Sequence, residues 1–157
     1  MTVFLGCDPG KSGALAVIDH PGGRVIDMPE NPSDLYEHLY IVKSNSDLSK
    51  DNCFCILESA QVLPKQGIKG AFTYGIGYGK IKACLDILEI PYQEIHPAKW
   101  KKEFSLINKG KDASVKAAQQ LFPSIEFFTP RGRMLDGRAE AILMADYGRR
   151  IYAKTQN

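Results

Sequence analysis

The stretch Val3-Phe4-Leu5-Gly6-Cys7-Asp8-Pro9-Gly10-Lys11-Ser12-Gly13-Ala14-Leu15-Ala16 decides how the rest of the chain is read. A short apolar run, Val3–Gly6, leads to an acid and a Pro-Gly turn, and residues 13–19 resume an apolar run. That is strand, turn, strand. Pro21-Gly22-Gly23 is a second turn signal and Arg24–Met28 alternates as a third strand, so the chain opens as an antiparallel meander. Asp8 therefore falls at the end of the first strand, beside a turn.

Beyond the meander, helical and strand patterns alternate. Pro32-Ser33-Asp34 offers an N-cap for a helix with Leu35, Leu39 and Val42 at helical spacing. Cys53–Leu57 is a continuous apolar run, suited to a central buried strand, and it ends at Glu58. Residues 71–88 have helical spacing with a loose start at Gly75, Gly77 and Gly79, and Pro91–Ile95 is a short strand. A helix over 112–121, capped by Asp112, turns Val115, Ala118 and Leu121 inward. The last helix, over 134–152, sets Ala139, Leu143, Tyr147 and Ile151 on one i, i+4 row. The order βββ-α-β-α-β-α-α predicts an α/β fold: a mixed sheet, antiparallel meander plus parallel strands, with helices on both faces. No repeat, low-complexity tract or linker divides the chain, so residues 1–157 are expected to form one domain.

Composition narrows the function classes. With 44% hydrophobic and 24% charged residues, the chain has the makings of a core and is not of the disordered type. No apolar run approaches the roughly 18 residues of a membrane span. Met1–Gly6 lacks a basic n-region, so no signal peptide is expected. Cys7, Cys53, Cys55 and Cys84 contain no C-x-x-C pair, and His20, His38 and His96 do not cluster with them, which argues against zinc. Read as small buried hydrophobes with reduced thiols, the cysteines point to a reducing intracellular compartment. Charge is uneven. Residues 1–60 carry four Lys/Arg and nine Asp/Glu, a net of −5, whereas residues 96–138 carry nine and four, a net of +5. The first part suits cations and the second suits phosphates.

Four acids stand out. Asp8 and Glu58 end strands, and in open α/β sheets ligands bind at the carboxyl ends of strands. If the first and fourth strands are neighbours, the two carboxylates lie side by side. Asp136 and Glu140, spaced i, i+4, project from one face of the last helix. Four converging carboxylates with no Arg or Lys between them would repel strongly, and would be stable only with bound cations. Oxygen ligands without sulfur or imidazole select Mg²⁺ or Mn²⁺. Two such ions roughly 3.5–4 Å apart can clamp both oxygens of a phosphoryl displacement. Taken singly, each acid also fits a plain structural role: a turn residue, a strand-end charge, or a charge favoured at a helix N-terminus.

These residues carry a family likeness. Leu5–Ala16 resembles the opening motif of the RuvC family of Holliday junction resolvases, and Ile56-Leu57-Glu58 resembles its second acidic motif. Asp136-Gly137-Arg138-Ala139-Glu140-Ala141 resembles the C-terminal acidic motif in the form found in phage and chloroplast members. Gly75-x-Gly77-Tyr78-Gly79, Pro97-x-x-Trp100-Lys101 and Leu121-Phe122-Pro123 are similar to the same branch. The resemblance implies an RNase H-like fold. It implies that Asp8, Glu58, Asp136 and Glu140 are catalytic ligands to a pair of Mg²⁺ ions, with Mn²⁺ as a substitute. It also implies a homodimer that makes paired symmetric nicks in a four-way DNA junction. The last two acids stand four apart here, where bacterial members usually have three. The segment Phe72-Thr73-Tyr74-Gly75 matches the region that reaches the junction centre in relatives. An aromatic there can stack on an unpaired base, typically worth ~1–3 kcal/mol. Tyr74 is favoured over Phe72, since it sits among glycines. Lys99, Lys101, Lys102, Lys109, Lys111, Arg131, Arg133 and Arg138 are candidates to contact backbone phosphates. Trp100 reads as a packing anchor. Ile81, Leu85 and Leu88 are expected at the dimer interface or in the core.

Two alternatives share these residues. One is another RNase H-like nuclease, acting on branched or single-stranded DNA or on an RNA–DNA hybrid. The other is a non-catalytic junction-binding protein. A sugar-kinase or actin-like ATPase has a similar D-x-G hairpin, but it needs a second such lobe and a Gly-rich adenosine motif that this sequence lacks.

Overall fold

The computed structural model describes residues 2–19, 22–45, 52–61 and 67–155; His20, and Pro21 of the second turn signal, lie outside the described residues. The strands are β1 (Val3–Asp8), β2 (Ala14–Asp19), β3 (Gly22–Asp27), β4 (Cys53–Glu58) and β5 (Tyr92–Ile95). The helices are α1 (Pro32–Asn45), α2 (Ile68–Ile87), α3 (Pro97–Glu103), α4 (Lys111–Leu121) and α5 (Asp136–Thr155). The sheet order is β3-β2-β1-β4-β5. The meander pairs antiparallel, while β1–β4 and β4–β5 pair parallel, with Cys7 opposite Leu57. The mixed sheet is as expected, and β1 and β4 are neighbours, the condition on which Asp8 and Glu58 lie side by side.

The continuous apolar runs of β1 and β4 follow from burial on both faces. Leu5, Cys7, Leu15, Val17, Cys55 and Leu57 point to one side and pack on α1 and α2. Phe4, Ala14, Ala16, Ile18 and Ile56 point to the other and pack on residues of α3, α4 and α5. This is the two-residue period of a strand set between two helical layers.

One approach is closer than the rest. A Cβ at Gly6 would overlap the Ala141 carbonyl oxygen and fall 2.5 Å from the Ala145 nitrogen. A Cβ at Gly137 would overlap the Ser12 carbonyl oxygen. Glycine and alanine thus let α5 lie directly on β1 and press its first turn against the Asp8–Gly13 turn. The geometry of the acids rests on this contact.

Several elements differ from expectation. Helix α3 is hidden in the Pro97–Lys101 motif; Pro97 stands in its first turn and His96 Nδ1 accepts from the Ala98 amide at 3.2 Å. Helix α2 starts at Ile68 and carries Gly75, Gly77 and Gly79 in its interior, held by buried Tyr78, Ile81, Cys84 and Leu85. In α1 the Ser33 amide is capped by Asn31 Oδ1 at 3.3 Å, so Asn31 takes the capping place read from Pro32–Asp34. In α4 the N-cap is Gly110, and Asp112 is a first-turn charge. Leu121 is exposed, so the inner face of α4 is Ser114, Val115 and Ala118. The last helix begins at Asp136, because Met134 is bridged to Phe128 in a preceding turn. All four cysteines are free and buried. Among the described residues no helix is long and apolar enough to cross a membrane.

Candidate active site

Asp8 is the last residue of β1 and Glu58 the last of β4, and the parallel register sets these strand ends side by side. The Asp8 Oδ1 accepts from the Gly10 amide at 3.2 Å, so the Pro-Gly turn holds it. Helix α5 contributes Asp136 as its first residue and Glu140 one turn on. Burial pushes the Asp8 carboxyl up to about 6, against the pull of the Gly10 amide and with the help of Glu58 and Asp136. Glu58 and Glu140 are both raised, first by burial; Glu140 adds to the rise at Glu58, and Asp8 and Asp136 add to that at Glu140. The mutual repulsion places the four acids in one electrostatic neighbourhood.

Each acid has its own holder. The Trp100 indole Nε1 donates to Glu58 Oε2 at 2.9 Å. The Lys101 ammonium lies 3.5 Å from Glu140 Oε1, and Lys111 is paired with Asp136. The expectation of no Lys between the carboxylates is therefore corrected: two lysines stand at the cluster. Neither pairing has a local signal, because each joins residues more than twenty positions apart. Among the described residues no three His, Cys, Asp or Glu side chains are placed to hold one ion together. The donor set still fits a hard divalent cation. It is oxygen only, and three of its carboxyls are held more basic than usual, which a cation would reverse.

The basic candidates divide. Arg138 is a bidentate partner of Asp27, at 2.6 and 3.0 Å, and also donates to the Glu126 carbonyl at 3.2 Å, which ties α5 to the end of β3. Lys101 and Lys111 are engaged with acids. Lys99, Lys102, Lys109, Arg131 and Arg133 are exposed. Arg131 and Arg133 ride a tight turn in which the Thr129 amide bonds the Arg133 carbonyl at 2.8 Å and Gly132 adopts a φ of +79°. The turn leads straight into the acid-bearing start of α5.

Phe72 is 70% exposed on α2. Tyr74 is half-buried with its ring stacked on Tyr78 at 6.3 Å, and burial, then Glu58 and Asp8, push its hydroxyl up to about 12. Tyr74 thus has packing that its glycine neighbours did not suggest. Ile81, Leu85 and Leu88 lie in the core, not on a free face. The exposed stripe of α2 is the opposite one, with Ile68, Phe72, Ile76 and Ile87.

No protein-family model matches the chain, and no curated protein sequence matches it. Its architecture is nevertheless that of a defined class, the RNase H-like fold in its RuvC form. The chain is similar to Thermus thermophilus RuvC, with a TM-score of 0.61 at 14% identity over 96% of this chain and 97% of that one. It is equally similar to T. thermophilus RuvC in complex with a Holliday junction substrate, with a TM-score of 0.60 at 14% identity over 97% of each chain.

Proposed function

We propose that this chain is a metal-dependent endonuclease that resolves four-way DNA junctions as a homodimer, with residues 1–157 acting as one nuclease domain. One observation carries the reading: Asp8 and Glu58 end neighbouring parallel strands and Glu140 comes to them from α5, three half-buried carboxyls that desolvation and mutual repulsion hold above their ordinary range. A purely structural cluster has no use for that cost, whereas a site for divalent cations does. Asp8, Glu58, Asp136 and Glu140 would hold Mg²⁺ or Mn²⁺, which supplies charge stabilisation and an activated water for phosphodiester hydrolysis. The chain's own residues orient the acids: Gly10 holds Asp8, Trp100 holds Glu58, and Lys101 and Lys111 occupy Glu140 and Asp136. The exposed Lys99, Lys102, Lys109, Arg131 and Arg133 flank the site and would meet phosphates.

Paired nicks in a two-fold junction need two copies related by a two-fold axis. The exposed stripe of α2 supports such a pairing, since Gly75 and Gly79 lie on it, with open space where a Cβ would stand. Sedimentation that finds only monomer, free and on a junction, would rule the dimer out.

A second reading is favoured by the two lysines, which already neutralise part of the cluster: a junction binder without catalysis. The deciding experiment compares cleavage of a four-way junction, an RNA–DNA hybrid and plain duplex in Mg²⁺, Ca²⁺ and excess EDTA. Junction nicking in Mg²⁺, binding without cleavage in Ca²⁺, and no activity in EDTA are expected. Full activity in EDTA overturns the metal role, and preferred cutting of the hybrid moves the substrate to another RNase H-like class.

A further inference from the structure

One row of the sheet carries more than the two strand-end acids of the site. Asp8 pairs with Ala14, and Ala14 pairs with Asp27, the last residue of β3. On the other side, the parallel register taken one step beyond Cys7 and Leu57 sets Glu58 level with Asp8. Asp27, Ala14, Asp8 and Glu58 therefore stand in line across four strands. Their side of the sheet is the one on which Phe4, Ala16 and Ile56 pack with residues of α5. Two strand spacings put Asp27 about 10 Å from Asp8 along the row. Helix α5 meets this line at its first turn. Arg138, midway between Asp136 and Glu140, donates from Nε and Nη2 to the two carboxylate oxygens of Asp27 at 2.6 and 3.0 Å, and from Nη1 to the Glu126 carbonyl at 3.2 Å. A planar guanidinium held at three points fixes position and rotation together.

We infer that Arg138 is a positioning residue for the metal-binding acids: by gripping Asp27 it sets the rotation and axial position of the first turn of α5, and with them the places of Asp136 and Glu140 opposite Asp8 and Glu58. The inference rests on the metal reading of the four acids and adds what fixes their geometry. The need for such a grip is physical. The first turn of a helix lacks part of its intrahelical hydrogen bonding and frays. Asp136 is the first residue of α5, and the Ala139 amide reaches the Leu135 carbonyl only at 3.4 Å. The contact of Gly137 with Ser12 limits how near this turn comes to the Asp8–Gly13 turn, and the Arg138 fork supplies the direction. Asp27 is largely exposed, so the pair contributes only modestly to stability. What it provides is orientation, measured against the same row of the sheet that carries Asp8 and Glu58.

Loss of the grip is read by metal binding to the DNA-free protein, with Mn²⁺ as the probe. Unbound Mn²⁺ is counted by its electron paramagnetic resonance signal while the full chain is titrated well below its melting temperature. Arg138→Gln should weaken Mn²⁺ binding by about ten-fold or more, the range for residues that orient metal ligands. It should also slow junction nicking at saturating DNA while moving the KM for junction by less than about two-fold. Asp27→Asn, which leaves α5 untouched, should weaken Mn²⁺ binding in the same direction. The double variant should be no worse than Arg138→Gln alone, because the two residues act as one device. Arg24→Gln is the control: it breaks the Arg24–Asp19 pair between β2 and β3 and should leave Mn²⁺ affinity unchanged. A general loss of stability lowers the melting point without changing the affinity of the folded protein. Wild-type Mn²⁺ affinity in Arg138→Gln, at whatever melting point, would overturn the inference and leave the pair structural. Wild-type affinity restored in the double variant would overturn it too, because the arginine would then serve only to screen the Asp27 charge. Failure of the nuclease reading looks different: Mn²⁺ binding still falls in the variants while no DNA is cut. If the wild type itself binds no Mn²⁺, the metal reading and this inference fall together.

Discussion

The indole of Trp100 donates its N–H to the carboxylate of Glu58 at 2.9 Å, across 42 positions of sequence. Trp100 is fully buried, so its N–H is shielded from water and depends on Glu58 for a partner. Burial, first, and Glu140 raise the Glu58 carboxyl; the indole is the largest of the influences that lower it, ahead of Lys101 and His96. Trp100→Phe keeps most of the volume and deletes the donor. A loss of about 1–3 kcal/mol is expected, the range for leaving a buried charged acceptor short of a partner. Glu58 should then hold its proton more tightly, so the Mg²⁺ concentration needed for half-maximal nicking should rise. A magnesium titration alongside a denaturant melt separates the two effects. A variant less stable but with an unmoved magnesium requirement would show that the indole only packs.

Asp8→Asn, Glu58→Gln and Glu140→Gln each remove a ligand charge at constant shape. Each should cut junction nicking by at least about 100-fold, while binding is kept or strengthened because a negative charge facing phosphate is gone. Nicking assays paired with gel-shift titration read both. Wild-type cleavage by Glu140→Gln would remove α5 from the ligand set.

The raised carboxyls make the metal-free protein sensitive to pH in a direction that can be worked out. The Asp8 carboxyl sits near 3.8 when unfolded and at about 6 in the fold. A folded-state value above the unfolded one means that the native form keeps a proton the unfolded chain has lost. Stability is therefore full below about pH 4, falls as pH rises to about 6, and levels off beyond. The Asp8 share is at most about 3 kcal/mol, and less in practice because the side chain is only partly buried. Glu58 and Glu140 shift in the same direction. Denaturant melts in EDTA should show a more stable protein at about pH 5 than at about pH 7.5, with Mg²⁺ restoring stability at the higher value by binding the native state. A flat profile would mean that the lysines already satisfy the cluster.

Much of the architecture is legible in periodicity. The apolar runs 3–7 and 53–57 announce central strands, and both terminate in an acid, but Asp8 meets Glu58 only because β1 and β4 are neighbours, which the pattern left as a condition. What stays hidden are relationships made only by tertiary contact. Nothing near Lys111 announces Asp136, and nothing near Trp100 announces Glu58. Helix α3 escapes because seven residues are too few for a period to show. Charge alone groups Arg138 with the DNA-contacting cations, since its Asp27 partner lies 111 positions away.

The approach of α5 to β1 can be tested by adding one methyl group. Gly6→Ala would drive a Cβ into the Ala141 carbonyl, and backbone has no rotamer with which to yield. A cost of about 1–3 kcal/mol or more is expected, together with loss of nicking as α5 lifts its acids from the strand ends. Gly22→Ala is the control, because a Cβ there meets nothing within 4 Å. Equal melting points for the two variants would show that α5 is not seated as described.

Salt dependence separates the arginines. Arg131 and Arg133 are exposed on a turn whose geometry is set by Gly132 and by Thr129, whose hydroxyl accepts from the Arg133 amide at 3.0 Å. Arg138, by contrast, donates from its guanidinium Nε and Nη2 to Asp27 and from Nη1 to the Glu126 carbonyl. Changing Arg131 and Arg133 together to Ala should weaken binding to junction and duplex alike. The log–log salt slope should fall by ~0.9 for each phosphate that is no longer neutralised, and stability should be nearly untouched. Arg138→Ala should do the reverse, with a lower melting point and an unchanged slope, because its partners are within the fold. The measurement is a salt titration of both variants on junction and on linear duplex of equal length, beside a thermal melt of each. If Arg138→Ala flattens the slope as the turn variant does, its pairing with Asp27 must give way to DNA on binding. Asp27→Asn should then strengthen rather than weaken the complex.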